Sequence, residues 1–260
     1  MKVGAYQFAV TGDVEKNTEL IIGAISQAAA KQVRLLVFPE CALTGYPPYD
    51  IANSSQIDDQ KVMESLSRIQ KVVGQVGMYA IVGTIIKDND EYRNSAVIIS
   101  PDKPMEMYHK RALFGWDADN FSPGTECGVF EIDGLKIGVR ICFEVRFPEY
   151  FRELYREHTD LNIILFYDVS DHDNIERYDL IKSHIRTRAV ENICHTLTVD
   201  TIKPFQTAPT GFYDRSGRIL GELERNKSGL FVYDLEVNGP DFGEQGRIDI
   251  SNQLLKIRSK

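Results

Sequence analysis

Apolar runs of strand length alternate with amphipathic stretches through the first part of the chain. KVGAYQF is followed by a helical pattern over Asp13 to Lys31, then RLLVF, then a second helical pattern over Gln60 to Val76. Such alternation predicts an α/β fold. The next runs, YAIVGTII, RNSAVIIS and MEMYH, are separated only by turns such as DNDE and PDKP, so this part predicts a meander. Beyond the loop around Ser122 to Gly128 come GVFEI, LKIGVRIC, a helix over Pro148 to Glu157, the strand LNIILFY and a helix over Asn174 to Asn192. ICHTLTVD, GFYD, RILGEL and GLFVYDLEV close the pattern as strands. With no linker or internal repeat, residues 1–260 read as one continuous domain. The stretch 238–260 is polar and lacks a core pattern; it reads either as an arm that packs on a partner subunit or as a frayed terminus.

Composition narrows the function classes. The chain has 260 residues, 43% hydrophobic and 26% charged, and can bury a substantial core. A formal net charge of -8, with no stripe of Lys and Arg, argues against nucleic acid as a partner. MKVGAYQFAV is too short and interrupted for a signal peptide, and no run approaches the roughly 20 apolar residues of a membrane span. A soluble cytoplasmic protein that does not engage membranes is expected. Cys41, Cys127, Cys142 and Cys194 are scattered without a CxxC pair, so each reads as a reduced thiol in the core.

Three apolar strands end in a reactive side chain. RLLVFPE delivers Glu40, MEMYHK delivers Lys110 and LKIGVRIC delivers Cys142. Ligands of open α/β sheets gather at carboxyl ends of strands, so the three can converge from distant positions. Taken singly, each has an ordinary explanation: a surface acid, a solvated loop cation, a small core hydrophobe.

Taken together and in this order, Phe38-Pro39-Glu40, Tyr108-His109-Lys110 and Cys142-Phe143-Glu144-Val145-Arg146-Phe147-Pro148-Glu149 resemble the motifs of the nitrilase superfamily of carbon–nitrogen hydrolases. Phe121-Ser122-Pro123-Gly124, Arg188-Ala189-Val190-Glu191-Asn192, Gly211 and Arg215-Ser216-Gly217 extend the resemblance over nearly the whole chain. The resemblance implies a four-layer α-β-β-α sandwich of two mixed β-sheets, and a homodimer or higher homo-oligomer. It also implies hydrolysis of a small linear amide: Cys142 as nucleophile, Glu40 as general base, Lys110 as oxyanion stabiliser, with the backbone N–H of Phe143 as a second donor. No metal or organic cofactor is implied. A thiol at a strand-to-helix turn is open to ionisation by a neighbouring cation or base, and the acids that follow suit a helix's first turn. Arg146 and Glu149, three apart, read as a structural pair on that helix.

The chain also departs from the family pattern. Many members carry a second glutamate seven residues before the Gly of the F-x-P-G turn; here that position is Asp117, one methylene and about 1.5 Å shorter. Asp119 is the other candidate. In YDVSDHD, where many members line the pocket with a Pro-Ala-x-Trp segment, Asp168, Asp171, His172 and Asp173 read as a polar loop capping the next helix, with no metal-loop spacing. Asp168 is retained as a pocket candidate. Val145 leaves incomplete the tandem arginines that grip a carboxylate in N-carbamoyl amino acid hydrolases. Trp116, Phe114 and Tyr46 either wall a small apolar pocket or belong to the core. Two alternatives stay open: a nitrilase acting on a nitrile, and a catalytically weak member that binds a ligand or protein.

Overall fold

A computed structural model describes residues 1–257. In chain order the elements are β1 (Lys2–Gln7), α1 (Val14–Ala30), β2 (Leu35–Val37), α2 (Asp59–Val76), β3 (Tyr79–Asp88), β4 (Glu91–Ile99) and β5 (Glu106–His109). A short helix α3 (Trp116–Asn120) precedes β6 (Val129–Ile132), β7 (Leu135–Ile141), α4 (Pro148–Arg156), β8 (Leu161–Leu165) and β9 (Val169–Ser170). The rest is α5 (Ile175–Asn192), β10 (His195–Val199), β11 (Phe205–Gln206), β12 (Gly211–Tyr213), β13 (Ile219–Glu222), β14 (Gly229–Asp234) and α6 (Phe242–Leu255).

Helix boundaries follow local chemistry. Asp13 and Asn174 cap α1 and α5 by accepting backbone N–H groups of the first turn, and Gly77 ends α2 in the left-handed conformation with φ 66°.

Two mixed six-stranded sheets result. The first runs β14-β1-β2-β3-β4-β5, parallel across β1, β2 and β3; the second runs β13-β12-β10-β8-β7-β6, parallel across β10, β8 and β7. Consecutive residues of β2 show why such strands read as unbroken apolar runs. Leu35 and Val37 face the other sheet, where they join Ile81, Val139, Ile141, Leu161 and Ile163, while Leu36 faces α1 and α2 with Ile21, Ile25, Leu66 and Ile69. On the other side, Phe151 and Leu154 of α4 and Ile181 and Ile185 of α5 cover Ile164 and Phe166. The layers are therefore helix, sheet, sheet, helix, as the resemblance implies.

Two expectations need correction, for Cys127 and for the Arg146–Glu149 pair, while the polar tail forms α6 rather than a frayed terminus, opened by a capping box in which Asp241 and Glu244 accept each other's backbone N–H at 2.7 and 3.0 Å. The helix docks on its own chain through Arg215–Glu244 at 3.0 Å and Tyr155 Oη to Asn252 Oδ1 at 2.9 Å; residues 258–260 of the expected arm lie outside the described residues. Cys127 is exposed rather than in the core. Arg146 and Glu149 form no ion pair among the described residues, because Arg146 ends a 3₁₀ turn (Cys142–Arg146) and α4 starts only at Pro148. No described helix is long and apolar enough to cross a membrane.

Candidate active site

Glu40 follows β2 in a turn that Gly83 of β3 makes room for: a methyl group there would overlap the Pro39 carbonyl oxygen and the Glu40 backbone. Gly124 does the same for the turn after β5, where a methyl would overlap the His109 carbonyl, and its N–H donates to the Lys110 carbonyl at 3.0 Å. Lys110 N–H in turn donates to the Asn94 carbonyl of β4 at 2.8 Å. Cys142 leaves β7 with φ 44°, a left-handed conformation that is rare for a residue with a side chain and marks a constrained turn.

These turns bring the predicted residues together. Lys110 Nζ donates to Glu40 Oε1 at 2.8 Å and to Asp117 Oδ2 at 2.7 Å. Asn94 Nδ2 donates to Glu40 Oε1 at 2.7 Å, and the Tyr167 N–H to Glu40 Oε2 at 2.9 Å. Tyr46 Oη donates to Asp117 Oδ1 at 2.5 Å, and its ring stacks on Tyr167 at 4.8 Å. Asp117 thus reaches the site, carried inward by α3. All three charged groups are buried, so each is held charged or neutral by its partners rather than by water.

The electrostatics follow from this enclosure. Burial raises the Glu40 carboxyl above its ordinary value, against the opposing pull of Lys110. Burial alone would lower Lys110, but Glu40 and Asp117 overcome it and hold the ammonium well above its ordinary value. Burial and the Glu40 charge push the Cys142 thiol up, with Lys110 opposing. A preformed thiolate is therefore not what this arrangement favours, in contrast to a cysteine at a long helix's N-terminus.

Cys142 opens on a cavity of about 200 Å³ lined by Lys110, Asp117, Tyr46, Tyr49, Phe114, Phe143, Tyr167, Asp168, Val169 and Arg177. The carbon-nitrogen hydrolase family model matches residues 2–239. The chain belongs to the carbon–nitrogen hydrolase family. It is 30% identical over 169 residues to the 2-oxoglutaramate amidase of Bacillus subtilis, a match covering 64% of this chain and 62% of that protein. Over 199 residues it is 29% identical to a nitrilase of Pyrococcus abyssi, covering 72% of this chain and 70% of that one. A mutant of the amidase from Nesterenkonia sp. AN1, solved in complex with butyramide, superposes with a TM-score of 0.82 at 21% identity, covering 98% of this chain and 95% of that one. That last likeness carries the fold.

Not every candidate in this carbon–nitrogen hydrolase lines the cavity. Trp116 turns away from it and packs edge-on against Phe121 at 5.5 Å, in a separate cluster with Cys41 and Ile85; α3 points Asp117 and Trp116 in different directions. Phe114 and Tyr46 do line it. Asp168 is buried, not a solvated loop acid: it accepts Arg177 Nε at 2.6 Å, Arg177 Nη2 at 2.8 Å and the Thr207 hydroxyl. Its N–H donates to Asp200, a buried carboxyl pushed well up by burial and by Asp168. Val145 is buried in the core under α5 and so stands off the cavity. No described group of three or more His, Cys, Asp or Glu is arranged to hold a metal.

Sequence reasoning missed Asn94, Tyr167, Arg177 and Glu144. Asn94 had no distinctive signal, since it lies between polar Arg93 and Ser95 at the start of RNSAVIIS. Arg177 had none, since its partner Asp168 belongs to another element.

Proposed function

We propose that this chain hydrolyses the C–N bond of a small linear amide through a Cys142 thioester. The observation that carries the reading is that Cys142 shares one small cavity with a Lys110 ammonium held between Glu40 and Asp117. Glu40, made more basic by burial, takes the thiol proton as sulfur attacks the amide carbon. Charge then develops on the carbonyl oxygen, where Lys110 Nζ and the Phe143 N–H donate to it. The proton held by Glu40 passes to the leaving nitrogen as the C–N bond breaks. Water, deprotonated by the same carboxylate, attacks the thioester and releases the carboxylic acid and the thiol.

The cavity is smaller than the roughly 300–1,000 Å³ of drug-sized sites, which supports a short substrate. Amidases among the relatives support amides over nitriles. The same reading includes a cytoplasmic homodimer or higher homo-oligomer. Phe242, Ile250 and Leu254 stand exposed on α6 and support pairing, and the four unpaired cysteines support a reducing compartment. Gel filtration returning a monomer at working concentration would overturn the oligomer.

The deciding experiment is ammonia release from a panel of small amides, N-carbamoyl compounds and nitriles, run beside Cys142→Ala. Turnover that vanishes in the variant supports the thioester route, and the preferred panel member defines the substrate. Turnover that survives the substitution removes it.

A further inference from the structure

One buried carboxylate beside the site has no part in the chemistry just described. Glu144 is fully buried, and the cavity lining does not include it. Its Oε1 accepts from the Tyr108 hydroxyl at 2.7 Å, the Arg111 N–H at 2.8 Å and, more weakly, the Ala112 N–H at 3.4 Å. Its Oε2 accepts from the Ile141 N–H at 2.7 Å. Tyr108, Arg111 and Ala112 bracket Lys110 at the end of β5. Ile141 and Glu144 bracket Cys142 at the end of β7.

These two strand ends lie in different sheets, so no ladder of backbone hydrogen bonds sets their separation. Apolar packing between the sheets resists separation well but sets the lateral position of a single turn loosely. A carboxylate gripped from both sides supplies what packing lacks, because charge-assisted hydrogen bonds are short and directional. Stability is a weak explanation for it: buried charges are commonly replaceable by apolar groups of similar volume at little cost. Arg140, wholly buried, lies 5.5 Å from the ring of Tyr108, whose hydroxyl donates to Glu144, and its own ion pair is with Glu153 at 3.4 Å.

We propose that Glu144 is a positioning residue that fixes the Lys110 ammonium relative to the Cys142 thiol. The proposal rests on the reading of Lys110 as oxyanion donor and Cys142 as nucleophile. Glu144 acts through the backbone on either side of these two groups and touches no substrate. Glutamine at this position keeps the shape but turns an NH₂ toward donors that need an acceptor.

The test compares Glu144→Gln, Glu144→Asp and Tyr108→Phe with wild type in three measurements: kcat and KM on the best amide, the pH profile of Cys142 alkylation by iodoacetamide, and melting temperature. In Glu144→Gln a displacement of Lys110 by about 1 Å lowers kcat about a hundredfold, while KM stays within about threefold. Tyr108→Phe, which removes a single bond, gives a smaller loss of the same kind. Cys142 faces the charges of Glu40, Lys110, Asp168 and Asp200, of which only Lys110 favours its thiolate, and Arg177 lies nearby. Moving Lys110 therefore shifts the alkylation profile to higher pH, while buried Cys41 and Cys194 stay unreactive because the fold is intact.

A purely structural role would lower melting temperature and active fraction together and leave the alkylation profile of the folded enzyme unmoved; that result overturns the proposal. So would wild-type kcat in folded Glu144→Gln, or in Tyr108→Phe should the Gln variant fail to fold. Alkylation needs no amide. A wild type that turns over none of the panel would overturn the functional reading, and the alkylation profiles would still decide the role of Glu144.

Discussion

Asp117 meets Lys110 at 2.7 Å although its side chain is one methylene shorter than the glutamate that many relatives carry. The missing length is supplied by the backbone: α3 starts at Trp116 and swings Asp117 inward, and Tyr46 Oη clamps the second carboxylate oxygen at 2.5 Å. With both oxygens engaged, the site is fitted to an aspartate.

Restoring the longer acid should therefore impair the enzyme. Asp117→Glu has to fit an extra methylene between Tyr46 and Lys110, and is expected to lower kcat about tenfold through displacement of the lysine. Asp117→Asn, which keeps the size and removes one of two charges on Lys110, should cost more. Steady-state kinetics of both variants check the order; a faster Asp117→Glu would contradict the fit.

The pH dependence follows from the raised groups. On the proposed route turnover requires Glu40 ionised, and burial raises its pKa, so activity is expected to be lost on acidification at a pH above the ordinary carboxyl value of 4.5. On the same route the Cys142–Glu40 pair also has to retain one proton for the leaving nitrogen. Burial raises the thiol, so the alkaline limb lies above its ordinary 9.0. Both limbs belong to the coupled pair. The profile of kcat/KM checks this; an alkaline limb near neutrality would show a thiol of low pKa instead.

Gly83→Ala tests the turn behind Glu40. The added methyl overlaps the Pro39 carbonyl oxygen, which is backbone and yields only by moving the turn. We expect a loss of about 1–3 kcal/mol in stability, read by urea unfolding. A fall of about a hundredfold in kcat should accompany it, because Glu40 sits one residue further on.

Arg177→Ala tests the Asp168 wall of the cavity. It leaves a buried carboxylate with the Thr207 hydroxyl as its remaining side-chain partner. Because the guanidinium is itself 40% exposed, the expected cost is about 1–2 kcal/mol rather than that of a fully buried pair. Melting curves should show it, together with a changed KM, since Arg177 lines the cavity.

Much of this was legible in the sequence. The strand-end positions of Glu40, Lys110 and Cys142, the meander of β3 to β5 and the principal helices follow from apolar periodicity and cap residues, which are local properties. Helix α6 escaped because its apolar residues, Phe242, Ile248, Ile250, Leu254 and Leu255, are spread around the helix rather than gathered in one stripe, although the D-x-x-E capping box at Asp241 and Glu244 was there to be read. Trp116 and Asp117 could not be told apart as cavity or core residues, because they are neighbours on one turn and only its orientation separates them.

The sequence by itself determined which elements form and which reactive side chains stand at their ends, because strand period, capping and turn chemistry act between near neighbours. The tertiary structure alone decided what those side chains meet. It set a lysine from one turn between a carboxylate from another turn and one from α3, joined Arg177 to Asp168, and placed Glu144 across the gap between two sheets. Such contacts depend on how separate elements pack, and no spacing along the chain records the distance between them.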